Sequence, residues 1–368
     1  MSQKPNADLA ELVRAGGTFS RVLADFPVDE IEADVPGPRL RAITRSLSDS
    51  GSSADDISTV TAVFDERAAD RDPVPRFLLV RDGRVVVDEL LPDAHLQADE
   101  ATNGPLPDLL PLLVQRQNSV PYIVVEANAE GGRIRTFLAG HRHPDAVEAV
   151  AGETEHLHEV HGGGLSHVRD AHHTEEIWKR NETEVAQAAN ELVERDAVPL
   201  LVVTGDPHVV DLLSSALSSR AKDALVTLAS DTLAAGASSE RLDDLVTENV
   251  KRIVRAHQED TIGRAAAGEA ASNSETDHRL QPIVHALQQA AVTSLLLDLK
   301  ALEGHTLLAL DAAPWVATVA AESFGAGILQ SIPAAEALAR AAIATDAEVI
   351  VVDHDTLPGS AAAAFVHR

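Results

Sequence analysis

The chain has 368 residues, of which 45% are hydrophobic types, and 58 Asp and Glu against 30 Lys and Arg give it a formal charge of −28. That length holds two or three domains, and that apolar share excludes a mostly disordered chain. Cys is absent, which excludes a disulfide framework, an iron–sulfur cluster, a thiol nucleophile and any Cys-ligated zinc, leaving only His and carboxylate metal sites open.

Residues 1–10 carry no apolar run, and no later segment reaches about 18 uninterrupted apolar residues. Neither a signal peptide nor a membrane span is expected, and the expected location is cytoplasmic. Leu9, Leu12 and Val13 make residues 7–13 a short apolar-periodic helix, broken by Gly16-Gly17. Between Ala33 and Asp56, Pro36, Pro38 and the Ser-rich run 46–53 read as exposed linking structure with one short helix over residues 39–47. Residues 77–80 and 85–87 are β-formers around Arg81-Asp82-Gly83-Arg84, whose Asp-Gly step signals a hairpin with a type I′ turn. A second hairpin, residues 121–126 and 133–138, joins through residues 127–132 and is expected to open a new domain.

Residues 141–173 contain half of the 16 His, together with Gly162-Gly163-Gly164, and show little apolar periodicity. They read as a long loop, or a loop with short strands. A helix is expected over residues 174–194 and a strand over residues 198–203. Asp206 then caps a helix whose first residue is Pro207 and whose buried face is Val209, Val210, Leu212, Leu213 and Leu217. A strand at residues 224–228 and a long charged helix at residues 239–266 continue an alternation that argues for an α/β domain. Residues 268–276 read as a boundary. Beyond it a helix (278–290), two strands (293–297 and 306–309), a helix (333–345) and a strand (348–352) predict a compact α/β/α domain.

The charge has no single source. It divides as −9 over residues 1–118, −11 over 119–268 and −8 over 269–368, and the basic residues are 25 Arg with only 5 Lys. An evenly acidic, Lys-poor chain has the halophile pattern of hydrated carboxylates, with an ordinary acidic bacterial protein as the alternative. A net negative charge argues against nucleic acid, whose affinity comes from basic groups and counterion release, but molar salt weakens that argument.

Motifs narrow the chemistry. Gly162-Gly163-Gly164 lacks the Gly-Lys-Ser/Thr of a phosphate loop, and His167 falls where the last glycine of a dinucleotide fingerprint belongs. The set His141, His143, His156, His158, His161, His167, His172 and His173 offers metal nitrogens, but His158-Glu159-Val160-His161 has the wrong spacing for two helical His to face one metal, and no metal site is expected. A solvated polar loop is one reading of this stretch. Contact with RNA through hydrogen bonds and ring stacking, aided by Arg169, is the other. Trp178 reads as a docking residue for its helix, and Asp206 as a cap. His354 beside Asp355 has no serine in a nucleophile elbow to serve, so no triad hydrolase is supported.

The order of elements, together with Pro121-Tyr122-Ile123-Val124-Val125, His172-His173-Thr174-Glu175-Glu176, Val202-Val203-Thr204-Gly205-Asp206 and the final domain, resembles the bacterial and archaeal relatives of the eukaryotic-type class I peptide chain release factor. Within them it is most similar to the mycobacterial-type branch related to the ribosome hibernation factor Balon. The resemblance covers residues 119–368 and, more loosely, the N-terminal region. It implies a three-domain α/β release-factor-like architecture: an N-terminal α+β domain (1–118), a middle α/β domain with a long Gly/His-rich loop (119–268) and a C-terminal α/β/α domain (269–368).

In that family the middle domain carries a Gly-Gly-Gln loop whose Gln positions water for ester hydrolysis at the peptidyl-transferase centre. This chain has Gly162-Gly163-Gly164-Leu165 there and no Gly-Gly-Gln anywhere. Losing the positioned polar group removes the orientation on which catalysis depends. The resemblance therefore implies a noncatalytic factor that fills a vacant ribosomal A site in a tRNA-like manner during stress or dormancy. It is expected to act as a monomer without cofactor, near ribosomal RNA, with elongation factor Tu as a further partner. Gly162, Gly163, Gly164, His167, Arg169, His172 and His173 become the RNA-binding candidates, and no catalytic residue is assigned. The alternatives are a peptidyl-tRNA hydrolase or rescue factor using another polar group, and a stress-response scaffold that does not bind ribosomes.

Overall fold

The structure is a computed structural model, described for residues 6–26, 37–66, 74–92, 94, 96–128, 131–139, 146–151, 167–229, 235–267, 280–354, 356–357 and 362–366. It packs as two compact units, one formed by residues 1–117 with 258–368 and the other by residues 118–257.

The N-terminal segment runs α1 (Ala7–Ala15), β1 (Phe19–Phe26), α2 (Pro38–Asp49), α3 (Ala54–Glu66), β2 (Val74–Arg81), β3 (Arg84–Leu90), β4 (Glu100–Gly104) and α4 (Leu110–Asn118). Its antiparallel sheet has the order β3-β2-β1-β4. Side chains alternate across a strand, and both faces here are covered. Val22, Ala24, Leu78 and Val80 meet Leu40, Ile43 and Leu47 of α2 and Val60 and Phe64 of α3 on one side, while Phe19, Leu23, Phe77 and Leu79 join Leu9 and Val13 of α1 on the other. The hairpin turn is left-handed at both Asp82 (φ 53°) and Gly83 (φ 68°), as type I′ requires. The short helix expected over residues 39–47 is present as α2, while the expectation of exposed linking structure rather than core is corrected over the described residues 37–56 by the apolar side chains that α2 buries. Leu40, Ile43 and Leu47 recur at helical spacing, so a stretch whose exposed residues are mostly Ser and Arg still buries one full face.

The middle unit begins with β5 (Pro121–Asn128), β6 (Gly131–Leu138) and β7 (Ala146–Ala151). It continues with α5 (His167–Asp196), β8 (Leu200–Gly205), α6 (Pro207–Ala216), α7 (Ser219–Asp223), β9 (Leu225–Ala229) and α8 (Ala235–Ala267). The sheet order is β7-β6-β5-β8-β9, antiparallel from β7 to β5 and parallel from β5 to β9. One face carries Ile123, Val125, Ile134, Leu201 and Val203 under α5 and α6. The opposite face carries Tyr122, Val124, Phe137, Leu200 and Val202 under Val246 of α8, whose Leu242, Leu245, Val250, Ile253 and Val254 pack around it. The strands are buried on both faces, which is why residues 121–125 and 200–203 read as continuous apolar runs.

The C-terminal segment runs α9 (Gln281–Gln288), β10 (Val292–Leu297), β11 (Thr306–Leu310), β12 (Val316–Ala317), a 3₁₀ turn (Ala320–Ser323), β13 (Ile328–Pro333), α10 (Ala334–Ala344), β14 (Glu348–Val351) and β15 (Ala362–Val366). Two three-stranded sheets form, β14-β10-β15 and β12-β11-β13. Every α10 residue except Glu336 is buried, and its apolar side chains share one core with α1, α9 and the N-terminal sheet. Arg14 reinforces that junction, donating through Nε to Ala344 O (2.8 Å) and pairing with Asp346 (2.6 Å). Gln117, at the end of α4, exchanges two bonds with the backbone of Val351 (2.8 and 2.9 Å), and Gln258 of α8 donates to the same carbonyl (3.1 Å).

The protein is thus a mixed α/β molecule, with alternating strands and helices in its middle unit as expected. The sequence boundary at residues 268–276 lies outside the described residues, and among those described no helix is long and apolar enough to cross a membrane.

Candidate functional site

The seven residues singled out from sequence fall between positions 162 and 173, and α5 starts at His167. Gly162, Gly163 and Gly164 lie outside the described residues. His167, Arg169, His172 and His173 fall in the first two turns of the helix, which starts at His167 rather than near Thr174. The reading of residues 141–173 as a long loop, or a loop with short strands, has a short strand in β7 (Ala146–Ala151) and is corrected at its C-terminal end, where α5 takes the last seven positions. The helix extends back because residues 167–176 include no Gly or Pro to stop it.

The C-terminal half of α5 packs on the sheet. Val185, Ala186, Ala189 and Val193 are fully buried on the sheet, and Val185 lies directly on Gly132 of β6. At 1.5 Å per residue, His167 stands about 27 Å along the helix axis from Val185. The helix that packs on the sheet through its C-terminal half thus carries the candidate positions 167, 169, 172 and 173 in its first two turns.

Sequence reasoning missed Glu182. It is 1% exposed, neither carboxylate oxygen has a hydrogen-bond partner, and burial pushes its pKa up to about 8. The signal was present in its spacing, since Glu182 precedes Ala186, Ala189 and Val193 by 4, 7 and 11 residues and so belongs to the sheet-facing row. Near neutral pH it is a protonated acid, able to donate as well as accept.

At the C-terminal end of β8, Asp206 is the cap that its position predicted, accepting from His208 N (2.9 Å) at the start of α6. The preceding Gly205 has φ 149°, and a Cβ there would stand 2.2 Å from Ala127 O of β5. The motif Thr204-Gly205-Asp206 is thereby accounted for by packing and capping.

In the other unit, two charged groupings set carboxylates beside Arg21 and His354. Arg21 of β1, almost fully buried, donates through Nη1 to Glu100 (2.8 Å), has Asp108 at 3.8 Å and lies over the ring of Phe77. Burial raises the pKa of Asp108, and burial with Asp108 beside it pushes Glu336 up to about 7. Elsewhere Asp298, at the end of β10, sits 3.0 Å from Nδ1 of His354, just past the adjacent parallel strand β14. A buried carboxylate orients an imidazole there, in a chain that lacks a nucleophile elbow. Among the described residues no group of three or more His, Asp or Glu is placed to hold a metal.

A five-stranded sheet covered by α5 and α6 on one face and α8 on the other is the part of this chain that a family model matches. Residues 121–271 match the family model described as bacterial archaeo-eukaryotic release factor family 2. Similar solved structures include the archaeal translation termination factor aRF1 (14% identity, 100% of this chain and 99% of that one, TM-score 0.24). Others are Pelota from Archaeoglobus fulgidus (10%, 99% and 92%, 0.35) and Dom34 from S. cerevisiae, titled a translation termination-like factor (10%, 81% and 81%, 0.36). No curated protein matches.

Proposed function

We propose that this chain is a noncatalytic ribosome-associated factor that occupies the vacant A site in a tRNA-like manner during stress or dormancy. One observation carries the reading. Its middle segment matches a release-factor family, while the Gly-Gly-Gln that such factors use for peptide release is replaced by Gly162-Gly163-Gly164-Leu165. A protein that keeps the frame and lacks the group that orients water is suited to occupy the site without cutting the ester.

Under this reading the three stretches 1–118, 119–268 and 269–368 act as the N-terminal, middle and C-terminal parts of a monomeric tRNA-like body, and elongation factor Tu is a partner of the last. Ribosomal RNA is met through Gly162, Gly163, Gly164, His167, Arg169, His172 and His173. With a net charge of −28, attraction to phosphate has to be local, and Arg169 with the adjacent His residues supplies it.

The test is co-sedimentation of the full chain with ribosomes from starved and growing cells at native salt, paired with a peptide-release assay on loaded ribosomes. The expected result is enrichment on ribosomes of starved cells with peptidyl-tRNA intact. Released peptide supports the hydrolase reading instead, and absence from every ribosomal fraction leaves the scaffold.

A further inference from the structure

Six large apolar side chains are exposed among the described residues, and four of them, Val319, Phe324, Ile328 and Leu329, fall within eleven positions. They occupy the 3₁₀ turn region and the start of β13, at one end of the small β12-β11-β13 sheet. Phe324 is the extreme case. It is 75% exposed and has φ 50°, a left-handed backbone that bulky residues avoid. An exposed ring on a strained backbone is doubly unfavourable for the isolated chain, and such outliers point towards a use for the side chain.

Two further features define what fits. In the sheet order β13 is an edge strand, with four of its six residues exposed in a row from Ile328 to Ser331. Such an edge offers backbone donors and acceptors to an added strand. The register shift opposite Ala309 and Leu310, and Pro333 at the strand end, bound the edge to a few residues, which permits a short specific pairing and resists open-ended stacking. The chain from residue 301 to 339 has no Lys or Arg and carries four acids, Glu303, Asp311, Glu322 and Glu336, while the neighbouring cation, Arg340, is buried and donates to Leu310 O (2.9 Å). Glu322 accepts from both the backbone N–H and the hydroxyl of Thr318, which holds its carboxyl below the usual range and keeps it anionic.

We propose that the outer edge of β13, with Val319, Phe324, Ile328 and Leu329 as apolar anchors, docks an extended basic segment of a partner protein by strand addition. Charge decides among occupants. RNA would set phosphates against the exposed carboxylates of Glu303 and Asp311 and the half-buried one of Glu322, and a second copy would bring another net −28 to the same face. An extended polypeptide alternating basic and apolar residues matches the edge, the anchors and the sign of the field. The inference is independent of the ribosome reading, because it rests on the C-terminal sheet alone.

The test is fluorescence anisotropy of a labelled ten-residue alternating Lys-Val peptide with the full chain at physiological salt. The comparison protein is the uncharged variant Phe324→Asn, Ile328→Thr and Leu329→Thr. Asn tolerates the left-handed backbone and Thr suits a strand, and an unchanged thermal transition verifies folding. Because net charge is the same in both proteins, general attraction to an acidic surface cancels. The expected result is at least a tenfold loss of affinity in the variant, with no binding of a Glu-Val peptide or of a ten-nucleotide single-stranded RNA. Absence of Lys-Val binding, equal affinity for wild type and variant, tighter binding of the Glu-Val peptide or the RNA, or dimerisation of wild type but not variant in sedimentation equilibrium would each overturn it.

Discussion

Replacing Glu182 by Met tests whether the buried acid in α5 is unpaired. A carboxyl ordinarily near 4.5 that is pushed up to about 8 keeps its proton in the folded chain over a pH range where the unfolded chain has released it. Its contribution is fully present below 4.5 and is lost progressively as pH rises through the folded value. Each unit is about 1.4 kcal/mol. At pH 7 the pH exceeds the unfolded value by about 2.5 units, so the wild type forfeits roughly 3 kcal/mol relative to acid conditions. Met has similar volume, no polar atom to strand and no titration. The stability of Glu182→Met relative to wild type therefore rises by about 1.4 kcal/mol per pH unit between pH 5 and 7.5 and flattens above 8. Urea unfolding followed by circular dichroism at pH 5, 6, 7 and 8 reads this directly. Taking the difference between two proteins at each pH removes the titration of all other groups. A difference that stays flat across the series refutes the reasoning, since an acid paired in the folded chain would show no such slope.

Further substitutions check the rest of the middle unit. Asp206→Ala removes the acceptor at the start of α6 and is expected to cost about 1 kcal/mol, read as a lower urea midpoint with unchanged slope. Gly205→Ala forces a Cβ against Ala127 O and is expected to cost more than about 4 kcal/mol, visible as loss of a cooperative unfolding transition. Arg169→Ala with His172→Ala and His173→Ala is expected to lower ribosome co-sedimentation at least tenfold, with a thermal transition within about 2 °C of wild type verifying that the variant is folded. Equal sedimentation of this variant and wild type counts against the assignment of these residues.

Elements whose cause is local were legible in the amino-acid order. The Asp82-Gly83 turn, the Asp206-Pro207 helix start and the apolar rows of α8 and α10 each follow from residues within a few positions of one another. Elements that depend on distant partners were not. In β1, Ser20 and Arg21 interrupt the pattern of a buried strand, and they are tolerated only because Ser20 donates to Asp56 (2.8 Å) while Arg21 meets Glu100 and Phe77. In β13, Ile332 alone is buried, so no alternation existed to be read. Glu182 sits in Asn-Glu-Thr-Glu, a run that looks fully solvated until the row containing Ala186 and Val193 is known to face the sheet. Buried Arg340, bonded to Leu310 O (2.9 Å) and lying over the ring of Trp315, is hidden in the same way inside an Ala-rich helix.

The convergence of Gln117 and Gln258 on Val351 has a consequence for synthesis. The core that α1 enters also requires α9, β10 and α10, so the first 117 residues of a growing chain cannot complete their packing until more than 300 have been made. The intervening unit, continuous in sequence, has everything it needs earlier, and chains emerging from the ribosome fold such units as they appear. The last strands to be made then bring Val351 to the two glutamines that flank the finished unit, so the order of closure is written in the chain: middle first, ends together.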